Sequence, residues 1–320
     1  LSDRRGADGA GEPARSGGAG GVCRADDRDL GDRLASGIGD RRGTGRGSAG
    51  YGQTAVANVA PASTVTATQW TTLVNGLNTI RKHQTGGSYS NIGTYTAGTR
   101  ISANIDFASN LVTAYSNRLS AAATSTSTGA TFSPTFTLAA TTAAQTFQLT
   151  RTATFANADS ARYFFNAGGQ LNLVFISGVN NDGTTRSADL ITLATTVVGS
   201  KSVKGQDCVA RTGTGGTVNS DLTFGSGYYG LTTSNVTISD ITSTTYTYTG
   251  DNVKIYAKTN GVQGTNADNG TVFSFGVDLT TGTKSAVYNN SLNITLNHRV
   301  DVIYPATTFL ANTWGAVTIA

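Results

Sequence analysis

Two histidines are the side chains of this chain best suited to proton transfer or metal binding, because imidazole titrates near neutral pH. His298 precedes Asp301 by three residues, and a nearby serine would complete a Ser–His–Asp triad. No Gly-x-Ser-x-Gly motif accompanies the pair, so a triad is a minor alternative. His83 follows Arg81 and Lys82, which favours a cationic helix end over catalysis. We expect no metal site made of histidine and cysteine.

Aspartates could supply the paired carboxylates of a glycosidase, which stand about 5 to 10 Å apart. The chain has a single glutamate, Glu12, so both members of such a pair would be aspartates. Most of them lie in turn sequences, where the Asp side chain bonds to backbone amides. A hydrolase is therefore a minor alternative. The candidates are Asp159, Asp182, Asp189, Asp207, Asp221, Asp240, Asp251, Asp268, Asp278 and Asp301.

Two turns rich in Asn, Asp and Gly and four tyrosines are the remaining candidates for binding calcium or a carbohydrate. The turns Asn180–Gly183 and Asn266–Gly270 resemble parts of calcium loops, but neither reaches the glutamate that completes the twelve-residue pattern. We interpret both as plain hairpin turns. The tyrosines could form an aromatic platform for a carbohydrate, although packing across a sheet is favoured. They are Tyr228, Tyr229, Tyr246 and Tyr248.

The composition indicates a β protein with weakly charged surfaces. Charged residues make up 13% of the 320 residues, about half the usual proportion, and threonine is abundant. The net charge is +4, and no basic run follows residue 83, so we expect no nucleic-acid partner. No apolar run reaches the roughly 20 residues that span a bilayer, and no signal-peptide core is present, so we expect no membrane partner. We also expect no cofactor.

The first 50 residues differ in composition from the rest of the chain. They hold 9 of the 23 basic residues, 8 of the 19 acidic residues and no aromatic residue. Without an apolar period, this segment cannot bury enough surface to offset its ordering entropy. Three interpretations remain open: an irregular or disordered arm, an arm ordered only by neighbouring subunits, or a GC-rich coding region translated in the wrong frame.

Residues 51–124 form a second predicted unit, an extended lead-in followed by two amphipathic helices. Thr66 and Gln69 have capping-box spacing, and Gly86-Gly87 ends the first helix. The second helix is predicted over about 102–122, and the run 121–129 reads as a linker. The apolar stripe of the first helix comprises Trp70, Leu73, Val74, Leu77 and Ile80.

Residues 131–320 are predicted to form a β-sandwich, because alternating apolar segments recur between Gly/Asn/Asp turns. The stretch Phe155–Phe175 is the densest aromatic cluster, and we interpret it as a strand-turn-strand unit with its turn at Asn166–Gly169. Ile191–Val198 is a further predicted strand, and two more are predicted at Leu292–Leu296 and Val300–Tyr304. The fold class is thus mainly β, with a short helical region and an irregular arm before the sandwich.

Three stretches of the chain resemble virion structural proteins of tailed phages, notably marine and cyanobacterial ones. One is the lead-in and first helix, with Ala67, Gln69, Trp70, His83, Gln84 and Gly86. The others are the run Ala161–Gly169 (Ala-Arg-Tyr-Phe-Phe-Asn-Ala-Gly-Gly) and, more loosely, Asn312–Gly315. The resemblance covers residues 51 to about 176 with some specificity and the remainder by β character alone. Residues 1–50 depart from the family pattern.

The resemblance implies a structural component of the particle, in the tail, neck, baseplate or fibre-attachment region, with no enzymatic activity. We therefore expect a virion protein that assembles with copies of itself and with other virion proteins. The alternatives are a receptor- or glycan-binding appendage, with a host surface glycan as partner, and a bacterial extracellular filament subunit. The residues expected to form the core and assembly signature are Trp70, Leu73, Leu77, Tyr163, Phe164, Phe165, Gly168 and Gly169.

Overall fold

The chain folds into two antiparallel β-sheets preceded by two helices, which confirms the predicted mainly β class. The computed structural model describes residues 50–54, 65–89, 105–206, 208–209, 216–220, 227–244, 248–261 and 270–320. The predicted arm lies outside these residues, apart from Gly50.

The first helix, α1 (Ala67–Thr85), has the ends that its sequence predicts. The Thr66 side chain accepts from the Gln69 amide and the Gln69 side chain accepts from the Thr66 amide, a complete capping box. Gly86 ends the helix in the left-handed region, at φ 78°. The second helix, α2 (Ile105–Ser116), ends six residues before the predicted limit of Ala122.

The first sheet has six strands in the order β1-β11-β4-β5-β6, with β2 also paired to β11. The long strand β11 pairs with β4 on one side and with β1 and β2 on the other. One strand therefore replaces the two predicted strands at 292–296 and 300–304, with a register shift at Asn297/His298. The strands are β1 (Thr124–Ser127), β2 (Thr135–Leu138), β4 (Gln170–Asn180), β5 (Ser200–Val203), β6 (Cys208–Val209) and β11 (Leu292–Pro305). Thus β1 occupies part of the predicted linker 121–129.

The second sheet has the order β12-β3-β10-β9-β8-β7. Its centre is the β3-β10-β9 unit, in which ten residues of β3 pair with β10. The strands are β3 (Gln145–Thr154), β7 (Thr217–Ser220), β8 (Val236–Thr242), β9 (Asn252–Thr259), β10 (Val272–Thr281) and β12 (Thr318–Ile319).

The prediction of a hairpin over Phe155–Phe175 is wrong, because a helix separates the two strands. Helix α3 (Ala158–Asn166) lies between β3 and β4. The Asn157 side chain accepts from the Ser160 amide and caps its start. Asp159 pairs with Arg162 one turn later. The helix places both Phe164 and Phe165 on its buried face. In a strand, these two neighbouring side chains would have pointed to opposite faces of the sheet.

The predicted strand Ile191–Val198 is also wrong. Helix α4 (Thr185–Thr192) continues into a π-helical turn, Leu193–Val198. The Thr184 side chain caps the helix by accepting from the Ser187 amide. The β-branched run that suggested a strand is therefore helical, because the cap and the burial of one face outweigh its weak helix propensity.

Both sheets and helix α3 contribute to one hydrophobic core. Across the sheets, the rings of Phe136 and Phe147 lie 5.3 Å apart. From α3, Phe165 contacts Tyr228 at 4.1 Å in a stacked arrangement and Phe273 of β10 at 6.5 Å. The short helix thus fills the end of the sandwich.

Candidate functional site

Several of the residues that carry the sequence resemblance lie together in one region of the structure, which we call the junction. It comprises Gly50–Thr54, His83–Gly86 at the end of α1, Asn166–Gly169 after α3, and Asn312–Gly315. These segments are separated by up to 262 residues in sequence yet are joined by direct hydrogen bonds. The junction attaches the helical region to the β-sandwich.

Tyr51 lies at the centre of the junction and is almost fully buried. Its hydroxyl donates to the Arg118 carbonyl at 2.7 Å and accepts from Gln84 Nε2 at 2.7 Å. Gln84 Nε2 also donates to the Ala114 carbonyl at 2.8 Å. Burial raises the pKa of Tyr51, against the hydrogen bond from Gln84. The hydroxyl is therefore neutral and serves as a hydrogen-bonding link between α1 and α2.

His83 connects the end of α1 to the turn after α3. Its Nε2 lies 2.8 Å from the Ala167 carbonyl, so Nε2 carries the proton and donates. Its ring meets the Tyr51 ring edge-on at 5.5 Å. Burial lowers the pKa of His83, against the hydrogen bond to Ala167. A buried, neutral histidine with this partner is a structural connector.

Asn166 fixes the entering chain to the sandwich. Its Nδ2 donates to the Gly50 carbonyl at 2.7 Å, and its Oδ1 accepts from the Tyr229 hydroxyl at 2.5 Å. One residue further along the chain, the Tyr51 carbonyl accepts from Thr313 Oγ1 at 2.6 Å. Both side chains thus satisfy backbone groups of a segment that has no regular secondary structure.

Two glycines of the junction allow close backbone approach. At Gly52, φ is 68°, and a Cβ would lie 2.5 Å from the Tyr163 ring. At Gly168, φ is 91°, and a Cβ would lie 2.9 Å from both Cβ and N of Ala121. Any side chain at either position would separate the segments.

The predicted signature residues divide between two places. Trp70 and Leu73 are partly buried and Leu77 is fully buried on the face of α1 that packs on the core. Trp70 lies 13 residues before His83, about 20 Å along the helix axis, so it is remote from the junction. The Tyr163 side chain packs over Gly52. The signature residues that lie in or next to the junction are Tyr163, Phe164, Phe165, Gly168 and Gly169.

The structure does not pair His298 with Asp301. The Asp301 carboxylate accepts from Arg299 Nε at 2.8 Å and from the Gly129 amide at 3.0 Å. His298 is fully buried against Phe132 and Phe175, and its Nδ1 lies 3.3 Å from the Leu296 carbonyl. Burial lowers the pKa of His298. His298 and Asp301 thus have separate partners and are not arranged as members of a triad.

The aspartates described by the structure bond mainly to neighbouring turn and strand residues. Asp182 accepts from the amide and hydroxyl of Thr184, and Asn180 Oδ1 accepts from the Gly183 amide, as in a plain turn. Asp278 accepts from Tyr256, whose pKa burial and this carboxylate raise to about 12. Within the described ranges, no group of three or more His, Cys, Asp or Glu side chains could hold a metal ion. Asp207, Asp221, Asp268 and the turn at 266–269 lie outside them.

The tyrosines considered for carbohydrate binding point inward where the structure describes them. Tyr228 is buried against Phe165, and Tyr229 bonds to Asn166. Tyr248 is buried, and its hydroxyl lies 2.5 Å from Thr185 Oγ1. Tyr246 lies outside the described residues. The three described tyrosines therefore do not form an exposed platform.

Sequence reasoning missed a buried group of charges at the other end of the sandwich. Arg186, Asp251 and Lys284 are each buried, and we call them the buried ion cluster. Asp251 and Lys284 lie 33 positions apart in turn sequences, so no local pattern signals their pairing. Arg186, one residue after the start of α4, lies between the predicted turn at 180–183 and the predicted strand at 191–198, where the sequence predicted no element.

Comparison of the chain with protein-family models, with curated proteins and with solved structures found no match. None of the helices in the described part of the chain combines the length and apolar character needed to cross a bilayer.

Proposed function

We propose that this protein is a structural subunit of a tailed-phage particle that acts by assembling with copies of itself and with other virion proteins. The observation that carries the proposal is an uncharged edge of the first sheet. Strands β1 and β2 run along one side of β11, from the Thr124/Pro305 pair to the Leu138/Leu292 pair. The whole segment, TSTSTGATFSPTFTL, contains no charged residue.

The β1 end of this edge is the more open one. All four side chains of β1 are exposed, and among the described strands none pairs with its outer side. Soluble proteins protect such edges with lysine, proline or bulges. Gly129 and Pro134 lie in the break between β1 and β2, but β1 itself carries neither charge nor proline. A strand of a second subunit can therefore add to β1 through backbone hydrogen bonds.

The junction supports the phage part of the proposal. The motif residues of the resemblance are used there to hold four chain segments together through buried hydrogen bonds. A sequence motif whose residues hold the fold together is what we expect of a structural subunit. The tyrosines that would favour a glycan-binding appendage are turned into the core instead.

The assembly proposal is tested with the full chain and an edge variant. Thr126→Lys places a charge on β1, and Thr192→Lys places the same charge on an exposed position of helix α4, away from the sheet edge. In light scattering after size exclusion across a concentration series, we expect the wild type and Thr192→Lys to associate and Thr126→Lys to shift towards monomer.

Two results would remove the proposal. The first is a wild-type chain that stays monomeric at every concentration. The second is the absence of the chain from phage particles purified from the encoding host and analysed by mass spectrometry.

A further inference from the structure

The buried ion cluster places an amine against a carboxylate in a site closed to solvent. Lys284 Nζ lies 2.6 Å from Asp251 Oδ1, and the two side chains are 1% and 0% exposed. A second salt bridge between a lysine and an aspartate, Lys254 with Asp240, spans 3.7 Å at the surface. The cluster is thus a separate chemical environment from the junction.

Backbone hydrogen bonds fix both partners before any reaction. The Asp251 carbonyl accepts from the Ser243 amide at 2.7 Å, and the Lys284 amide donates to the Thr142 carbonyl at 2.9 Å. Asp251 lies between the turn residue Gly250 and Asn252, the first residue of β9. Because folding already holds both groups in place, their reaction avoids the entropy loss that two free reactants would suffer.

Burial favours the neutral form of the Asp251 carboxyl group. An ion pair in the interior loses the hydration of two charges, and a proton passed from the ammonium to the carboxylate relieves that loss. Burial raises the pKa of Asp251, against the hydrogen bonds from Lys284 and Gly282 and the charges of Lys284 and Arg186. An amine and a carboxylic acid are the two reactants of amide formation, and the Lys284–Asp251 pair reaches these forms by transfer of one proton along the 2.6 Å contact.

The surroundings of the carboxyl group distinguish its two oxygens. Oδ1 accepts from the Gly282 amide at 2.8 Å as well as from Lys284. Oδ2 is buried without a hydrogen-bond partner among the described residues. Arg186 lies close enough for its charge to act on Asp251, and its Nη1 donates to the Asn290 carbonyl at 2.7 Å. The Gly282 amide and the Arg186 charge can therefore stabilise negative charge developing on Oδ1.

We propose that Lys284 and Asp251 form an intramolecular isopeptide bond. A first proton passes from the Lys284 ammonium to Oδ2, the neutral Nζ attacks Cγ, the Nζ–Cγ bond forms, and the electron pair of the C=O bond moves onto Oδ1. A second proton passes from Nζ to Oδ2, the Cγ–Oδ2 bond breaks as the carbonyl reforms, and one water molecule leaves. No oxidant or co-reactant is needed. The product ties the start of β9 to the segment after β10 by a neutral amide, which removes two charges from the interior.

The experiment is intact-mass measurement of the denatured full chain, followed by peptide mapping after trypsin. We expect the wild type to be lighter than its sequence by one water molecule. We also expect a branched peptide joining residues 212–254 to residues 259–299, because modified Lys284 resists cleavage. Lys284→Arg should show the full sequence mass, whereas Lys254→Arg, which alters the exposed pair, should keep the loss of water.

A wild-type chain at its full sequence mass after prolonged incubation overturns the proposal. A loss of water that maps elsewhere also overturns it, such as a succinimide at Asp182-Gly183, because no branched peptide would then form. These readings use unfolded wild-type protein, so they stand even where a variant of the cluster fails to fold. They are also independent of whether the chain assembles.

Discussion

Phe165 is the side chain whose truncation most directly tests the packing of helix α3 into the sandwich. It is fully buried and stacks on Tyr228 at 4.1 Å with an interplanar angle of 16°. Phe164 and Phe155 lie 5.0 and 5.9 Å away and are themselves buried, so neither is free to fill the space that the ring leaves. Phe165→Ala should therefore create a cavity and lower the free energy of unfolding by about 3 to 5 kcal/mol.

This loss is a large fraction of the roughly 5 to 15 kcal/mol that stabilises a typical domain. About 0.5 to 1.5 kcal/mol of it belongs to the aromatic pairing with Tyr228. Urea unfolding followed by tryptophan fluorescence measures the change, because Trp314 is buried and should report the loss of structure. The urea concentration at the midpoint should fall, while the slope of the unfolding free energy against urea concentration stays constant.

Phe309→Ala is the matched control, because the Phe309 ring is 42% exposed. Its cost should stay below about 1 kcal/mol. Where Phe165→Ala does not fold, Phe165→Leu keeps most of the apolar volume and should cost about 1 kcal/mol through the lost stacking. A cost for Phe165→Ala no larger than that of the control would refute the account of α3 as a core element.

Three further changes test the junction and the sheet edge. The pKa of His83 is lowered by burial below its unfolded value of 6.5, so the unfolded chain binds the proton more readily. The free energy of unfolding should therefore fall as the pH drops below about 6.5, and the fall should be smaller in His83→Gln. Urea midpoints measured as a function of pH check this. Tyr51→Phe should cost about 1 to 3 kcal/mol in urea unfolding, because the Arg118 carbonyl loses its donor; a neutral effect would count against the junction. Gly129→Ala should weaken the β1 edge, because a Cβ would meet the Val300 carbonyl oxygen at 2.0 Å, and faster amide exchange in β1 checks it.

Local signals predicted much of the fold. The capping box at Thr66 and the glycine at 86 set the limits of α1, because both act within one helical turn. Alternation of apolar side chains located β3, β9 and β10, since a strand with one buried face must follow that period. The mainly β class and the preceding helical region could thus be derived from the sequence.

The two wrong elements were misread for a shared reason. In Phe155–Phe175 and Ile191–Val198, aromatic and β-branched residues suggested strands. The helix signals were present but shorter: Asn157 and Thr184 stand three residues before the amides they cap. Ala161, Phe164 and Phe165 also follow the i, i+3, i+4 spacing of a helix face. Propensity summed over a short segment is a weak guide when tertiary burial rewards the other conformation.

The sequence by itself determined which segments alternate, where helix α1 begins and ends, and which residues carry the family resemblance. Only the tertiary structure decided that His83, Asn166 and Thr313 meet at the junction, and that Asp251 faces Lys284 in a closed interior. The physical reason is separation along the chain. Periods and caps act over a few residues, whereas His83 and Ala167, or Asp251 and Lys284, become neighbours only when the sheets pack and exclude water from between them.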